Sequence, residues 1–149
     1  LILAFNTYIG NGLSGLILTN TIKANDTWSF YQAKSIKQTM NETAADEAEA
    51  RGDKAKAEKY RQTAARYESE PATGEGKKEL MEKAQALEAQ RDLAKQKSPW
   101  ISFAGSTMQM AIVLVSAAIV AVSSWMFWSS FGVMALGIIL MTQGLWLWM

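Results

Sequence analysis

The chain has 149 residues with a formal net charge of +1 and 49% hydrophobic residues, and these totals alone would fit an ordinary soluble domain. The distribution of charge excludes that class, because all 15 basic and all 14 acidic residues lie between Lys23 and Lys97. The absence of Cys and His excludes disulfides, thiolate and imidazole metal ligands, and catalysis by a cysteine nucleophile or a histidine base.

The two uncharged ends predict an all-α membrane protein, with three transmembrane helices and a charged helical-hairpin domain between the first and the second. A helix needs about 20 apolar residues to span a bilayer, and both ends are long enough. We expect a transmembrane helix at 1–22, an extramembrane domain at 23–98 and a transmembrane hairpin at 99–149, with helices at about 103–124 and 131–149. A cleaved signal peptide is the alternative for the first segment.

Small and polar residues mark the faces on which these helices are expected to pack. Such residues let a second helix approach closely, and in the first helix they recur at helical spacing. The predicted packing positions are Gly10, Asn11, Ser14 and Gly15 in the first helix, Ala117 and Ala121 in the second, and Gly137 and Gly144 in the third.

The run from Ser123 to Ser130, followed by Gly132, predicts a tight, uncharged turn between the last two helices. Tryptophan residues lie at this turn and at both outer ends of the predicted hairpin, as expected where helices meet the membrane interfaces. The outer clusters include Trp100 at the start of the hairpin and Trp146 with Trp148 at its end.

Two amide side chains, Gln109 and Gln143, lie inside the predicted hairpin. Because the turn is expected to be centred near residue 126, midway between them, we predict that they lie at one depth and hydrogen-bond to each other. Water or lipid headgroups are the alternative partners. A proton relay is disfavoured, because no ionisable residue accompanies the pair.

The charged domain is rich in helix-forming Ala, Glu, Lys and Gln. Turn-forming residues lie at Gly52-Asp53, from Pro71 to Gly76, and at Ser98-Pro99. Between these turns, residues at four-three-four spacing predict an antiparallel coiled-coil hairpin with legs at about 45–70 and 77–97. Its facing seams are Ala57, Tyr60, Ala64 and Tyr67 on one leg, and Leu80, Ala84, Leu87, Arg91 and Ala94 on the other.

The lengths of the two legs restrict how the domain can return to the membrane. A helix over 77–96 rises only about 30 Å, whereas an unbroken helix over 27–68 would rise about 63 Å. We therefore predict that a separate helix at about 27–42 lies near the membrane interface and that the hairpin follows it. A straight first helix that leans across neighbouring protomers is the alternative.

The run Ala24-Asn25-Asp26-Thr27-Trp28-Ser29-Phe30-Tyr31-Gln32-Ala33-Lys34-Ser35-Ile36-Lys37-Gln38 directly follows the first apolar helix. It resembles an Asn/Asp-x-Trp-x-x-Tyr-Gln-Ala-Lys motif of a bacterial membrane-protein family, domain-of-unknown-function family 4337. The resemblance implies one membrane helix, a charged helical hairpin and two more membrane helices. It implies no activity.

Positive charge next to the first two predicted spans favours a cytoplasmic location for the charged domain, in the bacterial inner membrane. Lys23, Lys34 and Lys37 follow the first span, and the turn at 123–130 has no charge. The resemblance implies the opposite orientation, because members of the family are associated with basic residues in that turn. Both orientations stay open at this stage.

An aromatic and basic cluster is the candidate site of the charged domain. We define this cluster as Trp28, Tyr31, Gln32, Lys34 and Lys37. Aromatic rings at an interface and ammonium groups near phosphate would anchor the helix at the membrane, or bind a lipid headgroup or a partner subunit.

Other candidate sites have simpler interpretations. The acidic residues at Asp46-Glu47, Glu49, Glu79 and Glu82 alternate with Lys and Arg, which is typical of solvated helix faces and not of a metal site. The Gly74-x-Gly76 pair lacks the phosphate-loop pattern and is predicted to be a turn. The balanced charge argues against nucleic-acid binding, and no residue pattern indicates a cofactor or a small-molecule substrate.

The leading hypothesis is a non-catalytic membrane protein that acts through assembly, as a homo-oligomer or as an accessory subunit of a larger membrane complex. The alternative is a small oligomeric channel in which Asn6, Asn11 and Thr19 line a polar path. A lipid-acting enzyme would depend on Asp26 and Lys23, which are better explained as a helix cap and a lysine extended toward the interface.

Overall fold

In a computed structural model that describes residues 1–121 and 124–147, the chain forms four α-helices. They are α1 at Ile2–Ala50, α2 at Lys54–Glu68, α3 at Lys77–Ala121 and α4 at Ser124–Trp146. The helices α1, α3 and α4 each contain a stretch long and apolar enough to cross a membrane. The chain divides into two compact units, one of residues 1–19 with 90–149 and the other of residues 20–89.

The helix α1 runs without interruption through the region where we expected a boundary at residue 22 and a separate helix at about 27–42. The prediction of a separate helix at about 27–42 is therefore wrong. The sequence between Gly15 and Gly52 contains no Gly or Pro that would end a helix. Polar residues near this boundary are accommodated inside the helix, because the hydroxyl of Thr27 donates to the carbonyl of Lys23 at 2.7 Å.

The turn at Gly52-Asp53 lies where the sequence predicts one. Gly52 adopts a φ of +82°, a left-handed conformation that favours glycine, and ends α1. Asp53 begins α2 by accepting a hydrogen bond at 3.1 Å from the backbone N–H of Lys56. Because this turn reverses the chain, α2 runs back along α1, and Arg61 forms ion pairs with Glu49 and Asp46 of α1.

The predicted pairing of legs 45–70 and 77–97 differs from the structure, because each leg contacts α1. The lysine at the start of α3, Lys77, donates a hydrogen bond to Gln38 of α1 at 2.9 Å, and Glu88 accepts one from Trp28 at 3.2 Å. Thus α2 and the first part of α3 lie against successive segments of α1 in the 20–89 unit. This arrangement removes the length conflict. Alanine seams on each helix permit close packing, with Ala45, Ala48, Ala57, Ala64 and Ala84 buried.

The helix α3 continues through Ser98-Pro99, where we expected a break. A proline inside a helix removes one backbone hydrogen bond and crowds the carbonyl four residues earlier, at a cost of about 3 kcal/mol, so other contacts must stabilise the helix here. The residues that follow Pro99 pack within the unit of residues 1–19 and 90–149, since Ile101 and Ala104 are buried. These contacts favour continuation of the helix over a break.

The predicted turn at Ser123–Ser130 also differs from the structure, because α4 begins at Ser124 and Ser124 to Ser130 are helical. The hydroxyls of Ser129 and Ser130 donate to backbone carbonyls three residues earlier, at 2.8 and 2.6 Å. Phe127 stacks edge-on against Phe131 one turn later, with ring centres 5.2 Å apart. Ser123 and Trp148 lie outside the described residues.

Candidate functional site

The contact between α3 and α4 is built on the two glycines predicted for the third span. A Cβ on Gly137 would lie 2.9 Å from Met108 Cγ, and one on Gly144 would lie 2.8 Å from Ile101 Cδ1. Both distances are shorter than real Cβ contacts, so a larger residue at either position would force its neighbours to shift. Gly137 and Gly144 therefore lie at the packing face of α4.

The small residues of α3 that pack are not those predicted. Ala117 is half-buried and Ala121 is exposed, whereas Ala104, Ala111 and Ala118 are buried. The buried positions continue the spacing of three and four residues that begins at Ile101 and Met108. This spacing is visible in the sequence and would have identified the correct face of α3.

The predicted pairing of Gln109 with Gln143 does not fit the observed register of α3 and α4. Gln143 adjoins Gly144, which contacts Ile101, whereas Gln109 adjoins Met108, which contacts Gly137. The two amides are therefore separated by seven residues, or about 10 Å along the helices. We had expected the turn between the two helices to be centred at residue 126. In the structure α3 ends at Ala121 and α4 begins at Ser124, so the connection comes earlier and the two amides do not lie opposite each other. Gln143 is buried and Gln109 is exposed.

A polar groove of about 260 Å³ lies between α1 and α3 within the unit of residues 1–19 and 90–149. Its floor is formed where Asn6 donates a hydrogen bond through Nδ2 to the carbonyl oxygen of Ile101, at 3.1 Å. A Cβ on Gly105 would lie 2.8 Å from this Nδ2, so a larger residue there would displace the Asn6 amide. The groove is lined on α1 by Asn6, Thr7, Gly10, Asn11 and Ser14, and on α3 by residues that include Ser98, Ser102, Gly105, Ser106 and Gln109.

Hydroxyl groups and carboxamides in the polar groove differ in the hydrogen bonds that they make. Thr7 and Ser106 donate to carbonyls one turn earlier in their own helices, at 3.0 and 3.2 Å. Asn6 is 4% exposed, yet its Oδ1 has no hydrogen-bond partner among the described residues. Asn11 and Gln109 are exposed on the same groove. The carboxamides are therefore the groups that an occupant of the groove would meet.

Three predicted packing residues of the first helix line this groove, and one does not. Gly10, Asn11 and Ser14 belong to its wall. A Cβ on Gly10 would make an ordinary contact with Ile101 at 3.5 Å, whereas one on Gly15 would meet no atom within 4 Å. Sequence reasoning missed the α3 half of the groove, although serines at Ser98, Ser102 and Ser106 recur at a spacing of four residues.

In the 20–89 unit, the aromatic and basic cluster makes contacts inside the chain. The indole Nε1 of Trp28 donates to a carboxylate oxygen of Glu88 at 3.2 Å, and the ring of Trp28 packs edge-on against Tyr31 at 5.4 Å. The ammonium group of Lys77 lies 5.6 Å from the centre of the Tyr31 ring, within range of a cation–π interaction. Trp28 and Tyr31 thereby join α1 to the first part of α3.

The lysines of the cluster face the turn between α2 and α3. Lys34 lies 5.4 Å from the centre of the Tyr67 ring and 3.6 Å from Glu75, an ion pair that is weak because Glu75 is largely exposed. Lys37 and Gln32 are exposed. Three of the five cluster residues therefore make contacts within the chain. The sequence did not suggest these contacts because Glu75, Lys77 and Glu88 are distant along the chain.

The turn at 69–76 is held by Glu79, which we had assigned to a solvated helix face. Its carboxylate accepts a hydrogen bond from the hydroxyl of Ser69 at 2.6 Å and another from the backbone N–H of Glu70 at 3.3 Å. The Ser69 hydrogen bond is the main reason why the pKa of Glu79 lies below its ordinary value. A Cβ on Gly76 would overlap the backbone of Glu70, so this turn requires glycine.

Three of the other acidic residues considered as metal ligands contact arginines. Glu49 and Asp46 pair with Arg61 between α1 and α2, and Glu47 pairs with Arg51 at 3.2 Å. Exposed pairs of this kind contribute little to stability. The two pairs of Arg61 link α2 to α1.

The family comparison agrees with the layout of three apolar helices and a charged helical domain. No curated protein and no solved structure matches the chain. A family model described as Domain of unknown function (DUF4337) matches residues 1–147, which is nearly the whole sequence. The chain therefore belongs to this uncharacterised family, as the Trp28 to Lys34 motif led us to expect.

Proposed function

We propose that this protein is a non-catalytic integral membrane protein that acts through assembly, as a homo-oligomer or as an accessory or structural subunit of a larger membrane complex. One observation carries the proposal. On α1, a stripe formed by Ala33, Ile36, Met40 and Thr43 lies at three-four-three spacing without a covering helix from the described part of its unit. Ile36 is 62% exposed and Met40 is 65% exposed.

This apolar stripe has the properties of a helix-docking seam. It lines a shallow groove of about 490 Å³ whose walls come from α1 alone, between Ser35 and Glu47. The spacing is that of a coiled-coil seam, in which a second helix covers the apolar residues, here Ile36 and Met40. Burial of a side chain of this size contributes about 1.5 to 3 kcal/mol, so a covering helix would gain stability from both positions.

The stripe also distinguishes this proposal from a self-sufficient monomer. The opposite side of α1 is covered inside the chain, since Ala45 and Ala48 are buried. The α1 helix therefore has one face used by α2 and α3 and another that is apolar and open. A membrane complex, or a second copy of the chain, supplies helices that fit such a face.

Native mass spectrometry in mild detergent tests the proposal. We expect the wild-type protein to appear as an oligomer or with co-purifying chains. The double variant Ile36→Ser/Met40→Ser is expected to lose that association, whereas Leu93→Ser, which changes an exposed leucine of α3, is expected to retain it. A monodisperse wild-type monomer without co-purifying chains would contradict the proposal.

The polar groove supports a second candidate function, a small oligomeric channel or transport component. Asn6 and Asn11, two of the residues expected to line a polar path, border the groove together, although Thr19 is not among its lining residues. Uncharged amides and hydroxyls of this kind line pores that select by hydrogen bonding. Single-channel recording or flux from liposomes tests this candidate, and an impermeable oligomer would remove it.

We further propose that the protein resides in a bacterial inner membrane with the 23–98 domain in the cytoplasm. The support is the basic residues next to the spans, Lys23, Lys34 and Lys37 after the first and Arg91, Lys95 and Lys97 before the second. A cysteine in place of exposed Glu58 tests this orientation. It should react with an impermeant maleimide only after the cells are opened, and reaction in intact cells would reverse the assignment.

A further inference from the structure

We infer that the polar groove between α1 and α3 receives α1 of a second copy of this chain, in a twofold contact inside the membrane. This inference rests on the proposed assembly function, names a second copy as the partner, and adds a contact surface within the membrane that is separate from the stripe at Ile36 and Met40. Copies in one membrane share an orientation, so the twofold axis lies along the membrane normal and each α1 enters the groove of the other copy.

The groove requires an occupant that forms hydrogen bonds. The exposed residues Asn11 and Gln109 place carboxamides on its walls, and beside them Asn6 Oδ1 is buried with no hydrogen-bond partner in residues 1–121 and 124–147. Lipid acyl chains have neither donors nor acceptors, and unpaired amides in hydrocarbon are costly. The groove is therefore unfavourable when only acyl chains cover it.

The chemistry of the groove favours another copy of α1 over a lipid headgroup. No charged residue lines the groove in the described part of the chain, so a phosphate would meet no counter-charge there. The exposed face of α1 carries Thr7, Asn11 and Ser14 at four-three spacing, with Gly10 between them. These residues offer both donors and acceptors, and their small size lets two backbones approach closely.

Asn11 is the residue that sets the register of this contact. It lies at the centre of the polar face of α1, one turn from Thr7 and one turn from Ser14. An asparagine at the centre of a helix interface specifies the alignment of the helices, because any shift leaves its amide unpaired. The exposed residues Asn11 and Gln109 have carboxamides that supply both donors and acceptors across the interface.

The chain contains no cysteine, so single cysteine substitutions report the contact directly. We expect Ser14→Cys and Thr7→Cys to form disulfide-linked dimers in native membranes under mild oxidation. Val113→Cys, at a position of α3 exposed outside the groove, is the matched control and should cross-link several-fold less. Both groove substitutions keep a small side chain, so misfolding is not expected.

A second measurement removes the hydrogen bonds without adding a cross-link. Asn11→Leu should lower the dimer fraction several-fold by native mass spectrometry, whereas Val113→Leu should leave it unchanged. An oligomer that shows no preference for cross-linking at Ser14 and Thr7 would overturn this inference and leave the proposed assembly intact. A monomer that does not cross-link would overturn both. Ion flux through the purified dimer would also overturn the inference, because it would show a water-filled groove.

Discussion

The ammonium group of Lys97 donates a hydrogen bond to the backbone carbonyl of Leu145, with 3.0 Å between Nζ and O. Leu145 lies in the last turn of α4, where carbonyl groups have no partner within the helix. A lysine at this position satisfies one of them and is favourable at the negative end of the helix dipole. The last charged residue before the α3 span therefore lies level with the end of α4, which marks one boundary of the apolar segment.

This boundary predicts where α1 leaves the membrane. Ser14 lines the polar groove together with Ser98, which follows Lys97, so the residues of α1 after Ser14 lie level with the charged segment of α3. We expect a cysteine at Leu18 to react with a membrane-impermeant maleimide in open membrane fragments. A cysteine at Tyr8 should be protected. Both side chains are well exposed on the protein, at 63% and 77%, so burial does not explain the difference.

The comparison with Tyr8→Cys separates the two possible boundaries of the first span. Protection of Leu18→Cys to the same extent as Tyr8→Cys would place the boundary at Ile22, as the sequence analysis predicted. Reaction at Leu18 alone would place it near Ser14. Repeating the labelling after the protein is denatured provides the total amount of reactive thiol in each sample.

Close packing of α4 on α3 predicts different effects for two glycine substitutions in the same helix. A Cβ on Gly144 would approach Ile101 and Trp100 within 3.0 Å, whereas one on Gly132 would meet no atom within 4 Å. We expect Gly144→Ala to lower the free energy of unfolding in detergent by about 1 to 3 kcal/mol through overpacking. Gly132→Ala should have no destabilising effect, and equal losses in both variants would contradict this packing.

The sequence was sufficient to predict the elements that depend on charge and on strong turn residues. The uncharged ends identified the apolar segments, and Gly52-Asp53 and the run from Pro71 to Gly76 end helices because few conformations other than turns suit them. Gly137 and Gly144 were recognisable because small residues permit close approach of membrane helices. Each of these features is local, so neighbouring residues carry the information.

Features that depend on distant contacts could not be predicted in the same way. The alanine seams of α2 and α3 fit either each other or α1, and spacing alone does not select the partner. Pro99 resembles a helix end locally but lies inside α3, and the run after Ser124 resembles a turn but is helical. The indole of Trp28 donates its hydrogen bond to Glu88, a carboxylate 60 residues away, which no local pattern indicates.

The hydrogen bond between Trp28 and Glu88 predicts a measurable coupling between α1 and α3. Trp28→Phe keeps most of the ring but removes the N–H donor, and Glu88→Ala removes the acceptor. A hydrogen bond to a charged group contributes about 1.5 to 3 kcal/mol, and partial exposure reduces this to about 1 kcal/mol. We expect a double-mutant cycle of unfolding free energies to show a coupling of that size.

The cycle is necessary because Glu88 has a further interaction besides that with Trp28. The other contact of Glu88 contributes equally with Trp28 and with Phe at position 28, so its contribution cancels in the coupling energy. Glu88→Gln provides the control, since its amide oxygen still accepts from the indole and most of the coupling should remain. A coupling near zero would show that Trp28 does not bind α3 through this hydrogen bond, and would favour its predicted role as a membrane anchor.

The hydrogen bonds of Glu79 predict how stability depends on pH. They hold the pKa of this carboxyl below its ordinary value of 4.5, chiefly through the Ser69 hydroxyl. The unfolded chain therefore binds a proton at higher pH than the folded chain does. The stabilisation is present above pH 4.5 and is lost as the pH falls through the lowered pKa. We expect Glu79→Gln to unfold at a lower temperature than the wild type at pH 7, with the difference decreasing as the pH falls below 4.5.

The matched control for this experiment is Glu82→Gln, which removes the same charge from the same helix three residues later. Glu68 and Glu70 also have a lowered pKa, through hydrogen bonds from Lys77 and Arg66 respectively, so the wild type loses some stability in acid even without Glu79. The test is therefore the difference between the two variants across pH, and not the acid sensitivity of the wild type. If Glu79→Gln and Glu82→Gln follow the same pH profile, the carboxylate of Glu79 does not hold the turn between α2 and α3.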